Sequence, residues 1–151
     1  MVAFAPRASS RLPTRLLLGF LAGALATLTL HQITIALLSA AGVIQASPYS
    51  LRPVPPFGTP QVASLAFWGG LWGCVWALVA DAVPRRLPLW AAGLVFGALL
   101  PTIVAWFVVA PLKGQPIAVG WDLSRMWVAP LVNGVWGIGT VLIYKWLRRW
   151  G

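Results

Sequence analysis

The sequence is nearly without acid. Asp81 and Asp122 are its only carboxylates among 151 residues, set against 11 Lys and Arg for a formal net charge of +9. Cys74 is the single cysteine and His31 the single histidine. One cysteine cannot close an intramolecular disulfide or build a multi-cysteine metal site, so Cys74, in the middle of an apolar run, reads as a small packing residue. One histidine cannot supply the three protein ligands that a catalytic metal usually takes, nor both ligands of a bis-histidine haem. No cofactor is implied. Proton-coupled pumps commonly relay protons through buried carboxylates. Neither acid lies deep in an apolar run here, so such a route would have to pass through His31. The sequence also lacks G-x-S-x-G, H-E-x-x-H, P-loop and dinucleotide-binding fingerprints, and nothing in it supports an enzyme.

Charge of either sign is scarce, at 9% of residues, where a soluble domain carries about 25%. What fills the chain instead is apolar: 60% of residues are hydrophobic. A water-soluble fold of this length could not hide that surface, so the class is integral membrane protein. The cations fall between the apolar runs. That placement favours anionic lipid headgroups as their partner over nucleic acid, since no basic groove or base-stacking module is visible.

Four runs are long enough to cross a bilayer, at about 16–41, 62–80, 87–110 and 126–146, and they predict an all-α membrane four-helix bundle within a single domain, 16–147. Residues 1–15 and 148–151 read as short basic tails. Arg7, Arg11 and Arg15 ahead of an apolar run resemble a signal peptide, but a signal's apolar core spans about 7–15 residues and this run is longer, so an uncleaved first helix is expected. Pro48, Pro53, Pro55, Pro56 and Pro60 forbid a helix over residues 45–61 and predict a stiff extended loop, with Tyr49 and Phe57 as anchors at the membrane surface. Pro101, inside the third run, is expected to bend it and free a carbonyl. Arg7, Arg11, Arg15, Arg85, Arg86, Lys145, Arg148 and Arg149 fall on one side, and only Arg52, Lys113 and Arg125 on the other. The bias puts both termini in the cytoplasm. Asp81 borders Arg85 and Arg86 and is expected to pair with them at the surface, where an ion pair contributes little.

The spans are rich in glycine at helical spacing. Gly19 and Gly23, Gly69 and Gly73, and Gly93 and Gly97 are all GxxxG pairs. Inside lipid, helices are held together by close backbone approach and van der Waals contact, and small residues permit that approach. Gly19, Gly23, Thr27, His31 and Thr34 form one small and polar stripe on the first span. The hairpins echo each other. GFLAGAL from Gly19 matches GLVFGAL from Gly93, and GLWG at Gly70 matches GVWG at Gly134, ending on Gly73 and Gly137. Two spans per unit would place both units in one orientation, as a parallel repeat. Chance recurrence of abundant Gly, Ala, Leu and Trp gives the same letters. The glycine pairs fit packing within one bundle; self-association of two copies, or binding of another membrane protein, fits them too.

The run PVPPFGTPQVASLAFWGGLWG, after a first helix carrying His31-Gln32, resembles a group of small four-helix bacterial inner-membrane proteins of uncharacterised function. The resemblance implies a bacterial inner-membrane location. It supplies no activity and no site residues.

A rise of about 1.5 Å per residue places His31, Thr102, Asn133 and Trp68 at a common depth, roughly 20–22 Å from the basic end of the bundle. Two readings of this candidate polar layer compete. It is a hydrogen-bonded clamp fixing helix register, or a pocket open to the outer face with His31 as proton acceptor or ligand contact. No carboxylate lies at that depth, so a neutral imidazole bonded to Asn133 or Thr102 is expected. Trp68, Trp72 and Trp76 form an i, i+4 stripe that either stacks a flat ligand or gives bulky packing and lipid contact. The leading expectation is a non-enzymatic packing, assembly or interaction protein; the alternative is a small transporter or channel subunit using the polar layer.

Overall fold

A computed structural model describes residues 12–150. Most of the basic tail expected at 1–15, with Arg7 and Arg11, lies outside the described residues, as does Gly151. Four helices long and apolar enough to cross a membrane dominate the rest: α1 (Leu12–Ala40), α2 (Gln61–Ala82), α3 (Leu89–Leu112) and α4 (Leu123–Leu147). A chain in hydrocarbon has no water for its backbone, so each apolar run satisfies its amides internally as a helix.

Local chemistry sets the ends. α1 starts ahead of its apolar run, with Pro13 in the first turn, where a missing N–H costs nothing. Arg15 is therefore a helical residue. α2 and α3 start directly after Pro60 and Pro88. α4 starts after Asp122, whose carboxylate accepts from the Ser124 amide at 3.0 Å and the Ser124 hydroxyl at 2.6 Å. This is an N-cap, and the D-x-S spacing was its sequence signal.

Two helices change winding partway. α1 is π-wound over Thr27–His31 and α3 over Ala105–Val109, one turn past Pro101. Pro101 sits inside α3 without ending it. The wider turn loosens the regular carbonyl ladder, and in α1 the Leu28 carbonyl accepts a bond from the Tyr49 hydroxyl at 2.8 Å. The Tyr49 amide in turn donates to the Gln32 side chain at 2.8 Å. Tyr49 thus ties the proline-rich loop to the helix. That loop is not wholly extended, because Pro53–Val54 (β1) and Thr59–Pro60 (β2) pair as a minimal antiparallel hairpin. Phe57 stands at its tip, 87% exposed.

The helices pack in the spatial order α2–α1–α4–α3. Each hairpin is tightly closed, α1 on α2 and α3 on α4, and α1 joins the two through α4. The backbones of α2 and α3 stay apart. Within the two hairpins the contacts match position by position. A Cβ on Gly19 would meet the Gly73 carbonyl oxygen at 2.5 Å and the Ala77 side chain; one on Gly93 would meet the Gly137 oxygen at 2.6 Å and the Val141 side chain. Gly23 lies against the Gly69 carbonyl, and Gly97 against that of Asn133. Gly70 faces Phe20, and Gly134 faces Leu94. Each of these pairs is what the GxxxGAL and GxWG echo predicts from its partner, so the repetition extends from letters to helix register.

The two cross-hairpin interfaces differ. On α1, Ala22 and Ala26 are fully buried beneath α4, and Gly139 of α4 lies against Ala26 and Leu30. The Trp136 indole donates to the Gly23 carbonyl at 3.0 Å across this seam. The corresponding residues of α3 are Phe96 and Leu100, and those facing them on α2 include Trp76 where α4 has Thr140. Small residues on both sides let α1 and α4 close. Large ones hold α2 and α3 apart, with the gap bridged by side chains alone: the Trp76 and Phe96 rings meet edge to face at 5.3 Å.

Candidate functional site

The polar layer expected at the loop end is only partly assembled. Asn133 donates its amide to the Thr102 hydroxyl at 2.9 Å, joining α3 to α4. Thr102 is 2% exposed. His31 lies at the end of the π-wound turn of α1, and its Nδ1 is buried without a hydrogen-bond partner. The bond to Asn133 does not form, because that amide is turned toward Thr102. The Gln32 amide nitrogen and the Trp106 indole are likewise buried without partners. Trp68 stands outside the layer. It is 58% exposed and leans on Phe67, so α2 presents it to lipid. The tryptophan stripe therefore winds from lipid at Trp68, through half-buried Trp72, to the core at Trp76. Successive residues four apart advance by about 40° around a helix, which is enough to carry the third ring off the face of the first.

The glycines singled out for packing all lie at helix contacts within the chain. Gly19, Gly23, Gly69 and Gly73 meet across α1 and α2; Gly93, Gly97 and Gly137 meet across α3 and α4. The Thr27 hydroxyl sits against Gly69 and bonds back to the Gly23 carbonyl at 2.9 Å.

Sequence reasoning did not single out the opposite end of the bundle, where the structure opens. Between the hairpins at the basic end lies a cavity of about 640 Å³, walled by Trp76, Leu89, Tyr144, Lys145, Arg148 and Arg149. A second, mainly apolar groove of about 310 Å³ shares Trp76 and runs along Val79, Val83, Leu87, Val95 and Phe96. Asp81 does not pair with Arg85 or Arg86. It accepts from Arg15 at 2.7 Å and from Arg148 at 3.3 Å, both distant in sequence. Arg15 also donates to the Ala77 carbonyl at 2.6 Å, placing a cation on the last turns of α2, where the helix dipole favours one. Arg148 lies over the Tyr144 ring at 5.6 Å.

The walls of this cavity hold unspent hydrogen-bonding capacity. Trp76 and Tyr144 are each 2% exposed. The Trp76 indole N–H and the Tyr144 hydroxyl have no partner. Buried polar groups are normally paired, and each unpaired one costs about 1–3 kcal/mol. The signal available in the sequence was the triad Lys145, Arg148, Arg149, spaced so that it gathers on one helix end one turn beyond Tyr144 and Val141.

Among the described residues, no group of three or more His, Cys, Asp or Glu could hold a metal ion. Comparison of the chain with protein-family models, curated proteins and solved structures gives no match, so the finding that stands is the architecture itself: a small multi-span helical membrane protein with four apolar helices.

Proposed function

We propose that this chain is a non-catalytic interaction protein of the bacterial inner membrane that holds a membrane component in the cleft between its two hairpins. The observation that carries the reading is the unequal treatment of two equivalent interfaces. Ala22 and Ala26 let α4 close on α1, whereas Phe96, packed against Trp72 and Trp76, stands between α3 and α2. The glycine faces are used up inside the chain, so the cleft, not a GxxxG face, is the surface left for a partner. The Lys/Arg bias supports an orientation with both termini cytoplasmic, which puts the cleft mouth at the inner leaflet. Purification of the full chain in a mild detergent, followed by identification of whatever travels with it, tests the reading. A chain that emerges free of protein and lipid, under conditions that keep it folded, overturns it.

A second reading, a small transporter or channel subunit, draws on His31 Nδ1, the Gln32 amide nitrogen and the Trp106 indole, all buried and unpartnered toward the loop end. Water or a polar solute could occupy that region. Flux assays in proteoliposomes decide it: a solute or proton flux lost in both His31→Gln and His31→Leu, with the fold intact, would establish transport.

A further inference from the structure

We propose that the inter-hairpin cleft is a binding site for the phosphate of an anionic lipid, with the headgroup in the basic cavity and an acyl chain in the adjoining apolar groove. The inference rests on the reading that the cleft holds a membrane component, and it specifies the chemistry of that component.

Charge complementarity comes first. Lys145, Arg148 and Arg149 line the cavity, and no carboxylate does. Asp81 is already engaged by Arg15 and Arg148, so Lys145 and Arg149 have no carboxylate partner among the described residues. Arg and Lys bind phosphate oxygens through charge-assisted hydrogen bonds, Arg often with two at once. Basic pockets between transmembrane helices are where anionic headgroups are recognised.

The wall chemistry points the same way. A phosphate is a pure acceptor, and the cavity wall offers unused donors in the Trp76 indole and the Tyr144 hydroxyl. Arg148 lies over the Tyr144 ring, so the guanidinium stands beside this wall. A soluble anion would leave the second groove unexplained. That groove begins at the same Trp76 and is lined by Val79, Leu87, Val95 and Phe96. A basic cavity and an apolar groove that share Trp76 as a wall match a molecule with one charged end and one hydrocarbon end. The volume of about 640 Å³ falls in the range of about 300–1,000 Å³ typical of small-ligand sites.

The test uses the purified full chain in neutral detergent and native mass spectrometry. Phosphatidic acid, phosphatidylglycerol and phosphatidylcholine are offered separately at equal concentration. One acidic lipid per chain should be retained at least about tenfold more strongly than phosphatidylcholine, a difference of about 1.4 kcal/mol. Arg149→Gln together with Lys145→Gln should abolish that preference, and Tyr144→Phe should weaken it several-fold with no change in charge. Arg85→Gln with Arg86→Gln removes the same charge outside the cavity and should leave retention unchanged. If that control pair lowers retention as much as the cavity pair, the attraction is general surface charge and the proposal is wrong. Displacement of the lipid by glycerol 3-phosphate or inorganic phosphate at equal concentration would make the ligand a soluble phosphate and overturn the lipid assignment. Val95→Trp fills the groove from an exposed position and separates the two levels of the argument. Neutral lipid retained equally well and lost in Val95→Trp overturns the phosphate site but leaves the cleft reading standing. No retained lipid of any kind overturns this inference, while a co-purifying protein would still satisfy the broader one.

Discussion

Gly73→Ala probes the seam between α1 and α2 with a single methyl group. That Cβ would collide with the Gly19 carbonyl oxygen, and would lie 2.9 Å from the Gly19 carbonyl carbon and 3.0 Å from the Gly23 nitrogen, where ordinary contact starts at 3.4 Å. All three are backbone atoms, so no side chain can rotate away. The helices must part by on the order of 1 Å, and a gap of about 0.5–1 Å already forfeits a quarter to a half of the dispersion energy of the atoms it separates. In lipid no apolar burial compensates. The expected loss is about 1–3 kcal/mol, the range for overpacking a well-filled core. Gly137→Ala should cost as much, since its Cβ would strike the Gly93 carbonyl oxygen and lie 2.9 Å from the Gly97 Cα. Gly134→Ala is the internal control. Its Cβ meets the tip of the Leu94 side chain at 2.8 Å, a flexible neighbour that can shift, so its cost should stay below about 1 kcal/mol. Reversible unfolding in mixed detergent micelles, followed by tryptophan fluorescence, ranks the three variants. If Gly73→Ala is no less stable than Gly134→Ala, the backbone-contact argument fails at its first step.

Asn133→Leu strips the buried Thr102 hydroxyl of its donor; a loss of about 0.6–1.7 kcal/mol is expected in the same unfolding assay, and Thr102→Val in that background should add little more. Tyr49→Phe removes the bond to the Leu28 carbonyl, weakening attachment of the proline-rich loop by about 0.5–1.5 kcal/mol; limited proteolysis between residues 41 and 60 should accelerate, and an unchanged rate would show the loop is held by other contacts. The Ser124 hydroxyl and amide hold the Asp122 carboxyl below its ordinary range. A lowered folded value means the cap supports α4 above the ordinary carboxylate pKa and loses that support as pH falls through the lowered one. Ser124→Ala should move the Asp122 titration, read by NMR, back up toward the ordinary value.

What the sequence disclosed and what it concealed divide along a physical line. Span length and apolarity are properties of a run, so the four helices were legible, with ends displaced by a few residues where Pro13 and Asp122 start helices outside the apolar run. Depth is also legible, because rise per residue is fixed; it put Thr102 and Asn133 at one level, and those side chains bond. Azimuth is not legible without knowing the neighbours. Trp68 shares the depth of that pair, yet α2 touches chiefly α1, and the residue beside inward-facing Gly69 is left to lipid. His31 sits on the stripe of small residues, but the π-wound turn that ends on it alters the phase of the helix there. The cleft at the basic end was hidden for a further reason. It depends on a comparison, Ala22 with Phe96, that has meaning only once the two hairpins are known to pack in the same register.

That register has a consequence for how the cleft could arise. Two separate, identical hairpins meeting about a twofold axis would make their two cross-contacts alike, because symmetry repeats every contact. Both seams would be shut or both would gape. Covalent linkage through residues 83–88 removes that obligation. Each seam can then be altered alone, one sealed by alanines, the other propped open by Phe96. A hairpin dimer could offer a matched pair of slots or none. The joined chain can keep one rigid seam as a spine and give the other over to a guest.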